Sequence, residues 1–138
     1  MLTAENLCKD YIFNNEKVSA VKDVNLTITQ GEFVMIVGPS GSGKSSLIYL
    51  LSTLKQPSEG NISFQGQSYN MMSDGEKAHL RYNYFGFVMQ QHFLVSYLTA
   101  LENVCLGRSP RVMEQAQELL GQFGLLPSIQ KFPRELSY

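Results

Sequence analysis

Gly38-Pro39-Ser40-Gly41-Ser42-Gly43-Lys44-Ser45 fits the pattern GxxxxGK[ST]. Glycines let a backbone turn tightly enough to bring successive N–H groups onto phosphate oxygens. A helix that starts directly behind such a loop adds its positive N-terminal end. In this pattern the lysine reaches the β- and γ-phosphates, and the next hydroxyl ligates Mg²⁺. Lys44 and Ser45 hold those two places. Both flanks agree with this reading. Phe33-Val34-Met35-Ile36-Val37 is a short continuous apolar run, the pattern of a strand buried on both faces. Behind the loop, a helical stretch runs from about residue 44 to 54. A plain glycine–serine turn would require neither flank. The residues alone therefore predict binding of a nucleoside triphosphate.

The 37 residues ahead of the loop read mainly as β-structure. Val24, Leu26 and Ile28 alternate with polar residues, as in a half-buried strand. Residues 2–7 and 18–21 are weaker strand candidates, with turns at Asn14-Asn15 and Gln30-Gly31. After the loop helix, Pro57-Ser58-Glu59-Gly60 is a turn before a short strand at 61–64. Ser73 with Glu76, and Thr99 with Glu102, have the spacing of capping boxes. The first predicts a helix to about residue 82. Between the two lies another apolar run, 85–89. Ser109-Pro110 predicts the start of a further helix with an apolar face of Val112, Ala116, Leu119, Leu120 and Phe123, stopping at Gly124. The order is antiparallel β, then strand–loop–helix, then mostly helix.

Composition narrows the class. The chain has 138 residues, a length that suits one domain. Eleven Lys and Arg against 12 Asp and Glu leave a net charge of −1, so no global basic field points to nucleic acid. With 43% hydrophobic and 17% charged residues, the chain is globular rather than disordered. Cys8 and Cys105 stand far apart, without a CxxC or Cys/His cluster. They read as two free thiols in a reducing compartment, not a zinc site or disulfide framework. The start of the chain lacks a signal-peptide profile, and no apolar run approaches the roughly 20 residues of a membrane helix.

Two features separate the phosphate-loop families. Small kinases of this kind start with the loop strand, so the β prefix is wrong for them. Phe87-Val88-Met89-Gln90 also places a carboxamide at the exit of a predicted strand, where it can orient water or complete a Mg²⁺ shell. Here the chain resembles the nucleotide-binding subunit of ABC transporters, from about residue 2 to 137. Asn6-Leu7-Cys8-Lys9-Asp10-Tyr11 is similar to that family's start, and Tyr11 matches the aromatic that stacks on adenine. Gly31-Glu32-Phe33 resembles the strand entry, and Pro57-Ser58-Glu59-Gly60 the turn after the loop helix. Gly86-Phe87-Val88-Met89-Gln90 resembles the Q-loop, and Leu98-Thr99-Ala100-Leu101-Glu102-Asn103-Val104 the start of the helical subdomain. Phe132-Pro133-Arg134-Glu135-Leu136-Ser137 resembles the entry to the signature motif, with Ser137 in the serine position and Tyr138 where glycine is usual. The wording of residues 85–104 is most similar to the lipoprotein-releasing and macrolide-export group.

The resemblance implies an α/β fold of the ABC-type phosphate-loop class. Its parts are an N-terminal antiparallel β subdomain, the loop strand and helix, and the start of a helical subdomain. It divides the chain into a β-rich core over about 1–90 and a helical part over about 91–138. It implies ATP and Mg²⁺ as cofactors, held by Tyr11, Gly38, Pro39, Ser40, Gly41, Ser42, Gly43, Lys44, Ser45 and Ser46. Ser45 and Gln90 would contact the metal, and Lys44 and Gln90 would act in catalysis. The implied partners are a transmembrane permease and a second ATP-binding subunit, at the cytoplasmic face of the cell membrane. No nucleic acid is implied.

The resemblance covers a bit over half of such a subunit. The rest of the signature, the Walker B carboxylates and the switch histidine are not in these 138 residues. His79 and His92 precede the signature and read as surface histidines. The expectation is nucleotide binding without hydrolysis by this chain alone, and an unpaired edge beside the loop strand that invites association. A non-catalytic truncated nucleotide-binding fragment is the second reading, and another kind of P-loop kinase the third.

Overall fold

The computed structural model describes residues 1–91, 93–107 and 112–136. They form two compact units, Met1–Phe87 and Val88–Tyr138. The first unit is built on a four-stranded antiparallel sheet in the order β2-β1-β3-β4. β1 (Leu2–Phe13) and β2 (Glu16–Ile28) are joined by Asn14-Asn15, both at positive φ (49° and 63°). That two-residue geometry matches the twist of a hairpin, and asparagine tolerates it. β3 (Glu59–Phe64) pairs with the other edge of β1, and β4 (Gln67–Ser68) follows it. Val24, Leu26 and Ile28 alternate inward as their spacing predicts, and pack on the core.

α1 (Lys44–Leu51) lies behind the glycine loop and buries Leu50 and Leu51. They join Leu2, Leu7, Val21 and Ile62 in the core of this unit. The helix ends three residues earlier than the sequence suggests. The Ser52 hydroxyl donates back to the Ile48 carbonyl at 2.7 Å, and Thr53 then turns left-handed at φ 61°. α2 (Asp74–Tyr84) and α3 (Ala100–Cys105) start on complete capping boxes, Ser73 with Glu76 and Thr99 with Glu102. These hydrogen bonds hold both glutamates below their ordinary value of 4.5. A depressed carboxylate contributes stability above its unfolded value and loses it as pH falls through the folded one. The expected result is that both caps weaken on acidification below about pH 4.5. Ser73→Ala should cost about 1 kcal/mol at neutral pH, and less once acidification has protonated Glu76, since only the hydroxyl–carboxylate half of the box is then weakened in the parent. Urea midpoints across the acid range check this.

Two apolar runs behave differently from their sequence pattern. Residues 33–37 and 85–89 form no ladder among the described residues. Phe33, Val34, Met35 and Val37 are exposed. A strand buried on both faces needs neighbours along both edges, and parallel neighbours come from distant chain. No such neighbour lies beside 33–37 among the described residues.

In the second unit, α3 packs on α4 (Met113–Gln122) through Leu101, Ala116 and Leu120. The apolar face expected for α4 is only partly used. Leu119 and Phe123 are exposed, because one short partner helix covers a narrow stripe. Gly124 ends the turn after α4 at φ 69°, with the Leu125 N–H donating to the Leu120 carbonyl. His92, the Ser109-Pro110 start and the Ser137-Tyr138 end lie outside the described residues.

Candidate functional site

The site is built around the loop that enters α1. Glu32 anchors the approach, its carboxylate accepting from the Thr29 N–H at 2.8 Å and the Thr29 hydroxyl at 3.0 Å. These bonds stabilise the charged carboxylate and hold the Glu32 pKa below its ordinary value. The loop then doubles back, with Gly38, Gly41 and Gly43 all at positive φ. Gly43 is the N-cap of α1, at φ 87°. A Cβ there would lie 1.9 Å from the carbonyl oxygen of Ala20 in β2. The loop therefore rests directly on the sheet, and only glycine fits the contact.

The start of α1 differs from those of α2 and α3. No side chain caps its first turn, and no carboxylate lies in it. Orphan N–H donors at a helix start need an acceptor, and an anion supplies one. The Lys44 ammonium folds back across the loop, donating to the Gly38 carbonyl at 2.9 Å and the Pro39 carbonyl at 2.7 Å. The donor set is thus the uncapped first-turn N–H groups of α1 with the Lys44 cation folded over the loop beside them. It fits phosphate oxygens in both charge and geometry.

Ser45 is exposed and Ser46 half-buried on the first turn of α1. The Tyr11 hydroxyl is 3.3 Å from the Ser46 hydroxyl, so the end of β1 meets the loop helix. Lys9 sits over the Tyr11 ring with its amine 5.4 Å from the centroid. Next to Tyr11, Asp10 pairs with Lys17 at 2.9 Å, which holds its carboxyl below the ordinary value. The structure thus brings Tyr11, Ser46 and the loop together within one unit. Gln90 is exposed and belongs to the other unit.

A cleft of ≈ 340 Å³ opens beside the loop. Its wall includes Ala20, Val21 and Lys22 from β2, and Gly43, Lys44 and Leu47 from the loop and helix. Sequence reading missed the Ala20 contact, Lys22 and Lys9. Lys9 shares a strand face with Tyr11 by i, i+2 spacing, so alternation signals it. The approach of Ala20 to Gly43 has no local signal, since 23 positions separate them.

Comparison with known proteins agrees with this geometry. The ABC transporter family matches residues 21–138. The chain is 39% identical to the ABC transporter ATP-binding protein MJ1508 of Methanocaldococcus jannaschii, over 99% of this chain and 64% of that protein. It is 37% identical to the lipoprotein-releasing system ATP-binding protein LolD of Myxococcus xanthus, over 99% and 64%. The macrolide export ATP-binding/permease protein MacB of Bartonella quintana is 41% identical, over 99% of this chain and 22% of that one. Among solved structures, the dimeric post-hydrolysis state of the ATP-binding cassette MJ0796 bound to ADP and Pi superposes with a TM-score of 0.88. Identity there is 37%, covering 99% of this chain and 63% of that one. The chain therefore spans just under two thirds of the length of its stand-alone ATP-binding relatives. With a phosphate-type loop on an antiparallel sheet and a family match over residues 21–138, the chain belongs to the ABC transporter family, as an N-terminal part of its ATP-binding cassette.

Proposed function

We propose that this chain grips Mg·ATP as part of an ABC transporter ATP-binding subunit that drives a membrane permease. The observation that carries the reading is the uncapped start of α1 behind a glycine loop, with Lys44 across its mouth. The N–H groups of the loop and first turn over residues 38–46, Pro39 excepted because it has none, would take the phosphates, and Lys44 would swing from its two carbonyls onto the β- and γ-phosphates. The Ser45 hydroxyl would be one metal ligand, beside phosphate and water oxygens. Tyr11 would stack on the base, with Ser46 steadying its hydroxyl. Gln90 would contact metal and water and couple the site to the membrane partner. Similarity to LolD and MacB supports a permease partner, and the dimeric cassette supports a second ATP-binding subunit. No helix of the described residues is long and apolar enough to cross a membrane, and a peripheral place on the inner face of the cell membrane suits the reading.

Hydrolysis by this chain alone is not expected. Phosphoryl transfer needs an oriented nucleophile as well as a phosphate cradle. Among the described residues that line the loop cleft, none is a carboxylate. Titration with a fluorescent ATP analogue tests the binding. Saturable, Mg²⁺-dependent binding is expected, weakened at least about tenfold by Lys44→Ala, the cost of one charge-assisted contact of about 1.5–3 kcal/mol. Binding indifferent to Lys44 would overturn the reading. A phosphate-release assay tests the second statement, and Lys44-dependent turnover near about one per second would refute it.

A further inference from the structure

The far end of α1 carries an arrangement that the nucleotide reading does not use. Helix C-termini leave four carbonyls without intrahelical donors. Here all four are already satisfied. Ile48 accepts from the Ser52 N–H, Tyr49 from the Lys55 N–H, and Leu50 from the Thr53 N–H, at 3.0–3.1 Å. The Leu51 carbonyl accepts from the Tyr69 hydroxyl at 3.0 Å. The loop beyond is held in the same way. Arg81 donates to both the Thr53 carbonyl (3.1 Å) and the Thr53 hydroxyl (2.9 Å). Lys9 donates to the Gln56 carbonyl at 2.7 Å. Thr53 is β-branched yet left-handed, a backbone state worth about 1–3 kcal/mol of strain. The Arg81 clamp holds it there.

Lys55 and Lys77 remain. Both line a cleft of ≈ 250 Å³ below the helix end, with Thr53, Gln56, Tyr69 and Asn70. Neither makes an ion pair among the described residues, where Asp10–Lys17 is the pair present. None of the described residues lining the cleft is a carboxylate. Glu76 on the same turn as Lys77 is engaged by Ser73, and Asp74 stands exposed one turn before Lys77. Together with Lys9 and Arg81, four of the chain's 11 cations surround one short loop in a protein of net charge −1. The helix end does not need the Lys55 and Lys77 charges, since its carbonyls are filled. Two unpaired cations on one cleft repel each other, and an anion between them relieves that repulsion.

We propose that this cleft is a second anion site, taking a small phosphate-type oxyanion between Lys55 and Lys77. Its size sets the class. Pockets for drug-sized molecules span about 300–1,000 Å³, and this one is smaller, suited to a single phosphate group rather than a nucleotide. The Asn70 amide, which directs one N–H at the Gly60 carbonyl at 3.3 Å and keeps a second, and the Gln56 side chain are neutral donors among the lining residues. The site is separate from the glycine loop and does not rest on the nucleotide reading. Inorganic phosphate and the phosphodiester of an anionic lipid headgroup share the chemistry.

Amide NMR on the 138-residue chain tests it, titrating inorganic phosphate against chloride at matched ionic strength. Phosphate should produce saturable shifts at Thr53, Lys55, Gln56, Asn70 and Lys77. Lys44→Ala should leave these shifts in place while removing those of the loop. The double variant Lys55→Gln/Lys77→Gln should weaken them at least tenfold and leave ATP-induced shifts at 38–46 unchanged. Co-sedimentation with phosphatidylglycerol vesicles separates the sources. Binding lost in the double variant assigns a lipid headgroup, and saturation by free phosphate without vesicle binding assigns the free anion. Shifts reproduced by chloride, shifts that survive the double variant, or no response to phosphate or vesicles would each overturn the proposal.

Discussion

Gly43→Ala should abolish nucleotide binding and destabilise the first unit by about 3–5 kcal/mol, whereas Gly41→Ala should cost only about 1 kcal/mol. Both positions are left-handed, at φ 87° and 80°. An alanine at either pays that backbone penalty. The difference lies in what the added Cβ meets. At Gly41 nothing lies within 4 Å. At Gly43 the Cβ would stand 1.9 Å from the Ala20 carbonyl oxygen. That oxygen belongs to β2, where Ser19 and Val21 are registered against Asp10 and Lys9. It cannot yield by a side-chain rotation, so either the ladder distorts or the loop lifts away. Lifting the loop moves the Lys44 amine and the α1 donors together. Binding should therefore fall with stability in Gly43→Ala, while Gly41→Ala should melt within a few degrees of the parent. Thermal melts and fluorescent-nucleotide titrations of the two variants check this. A Gly43→Ala protein that binds and melts like the parent would refute the contact.

That contrast also marks how far the sequence reaches. Local chemistry was legible. The glycine loop, the Asn14-Asn15 hairpin, and the Ser73/Glu76 and Thr99/Glu102 caps each depend on residues within a few positions, and each forms as its spacing predicts. Contacts between distant residues were not. Nothing near Gly43 in sequence points to Ala20, and nothing near Ser46 points to Tyr11. The apolar run at 33–37 was readable as a strand but not as one without a ladder neighbour, because pairing is a property of the partner. The apolar face of α4 was overread for the same reason. Leu119 and Phe123 follow the helical period, but α3 is only six residues long and does not reach them. The early end of α1 lay in between. Thr53 is a poor residue for a left-handed position, and Arg81, which holds it there, comes 28 positions later.

Leu50→Ala should cost about 3–5 kcal/mol, against under about 1 kcal/mol for Leu54→Ala four residues on. Leu50 is completely buried, and its removal leaves a cavity among Leu7, Val21 and Ile62. Leu54 is 40% exposed, so water already covers part of what the substitution removes. A domain holds only about 5–15 kcal/mol in all, so Leu50→Ala should sit near the unfolding threshold at 25 °C. There it becomes a sensitive reporter of the binding site. A ligand that binds only the folded chain restores about 2.7 kcal/mol at a concentration 100-fold above its dissociation constant. Mg·ATP should therefore raise the urea midpoint of Leu50→Ala markedly. It should do little for Leu50→Ala/Lys44→Ala, in which the core defect is the same but the cation at the loop mouth is gone. Equal rescue of the two proteins would mean that the nucleotide binds elsewhere. Rescue of neither, with Leu54→Ala behaving like the parent, would leave the packing argument intact and refute the phosphate grip at Lys44. Core and site are joined here through one short helix. Leu50 and Leu51 fasten α1 to the sheet, and its first turn presents the donors to the phosphates.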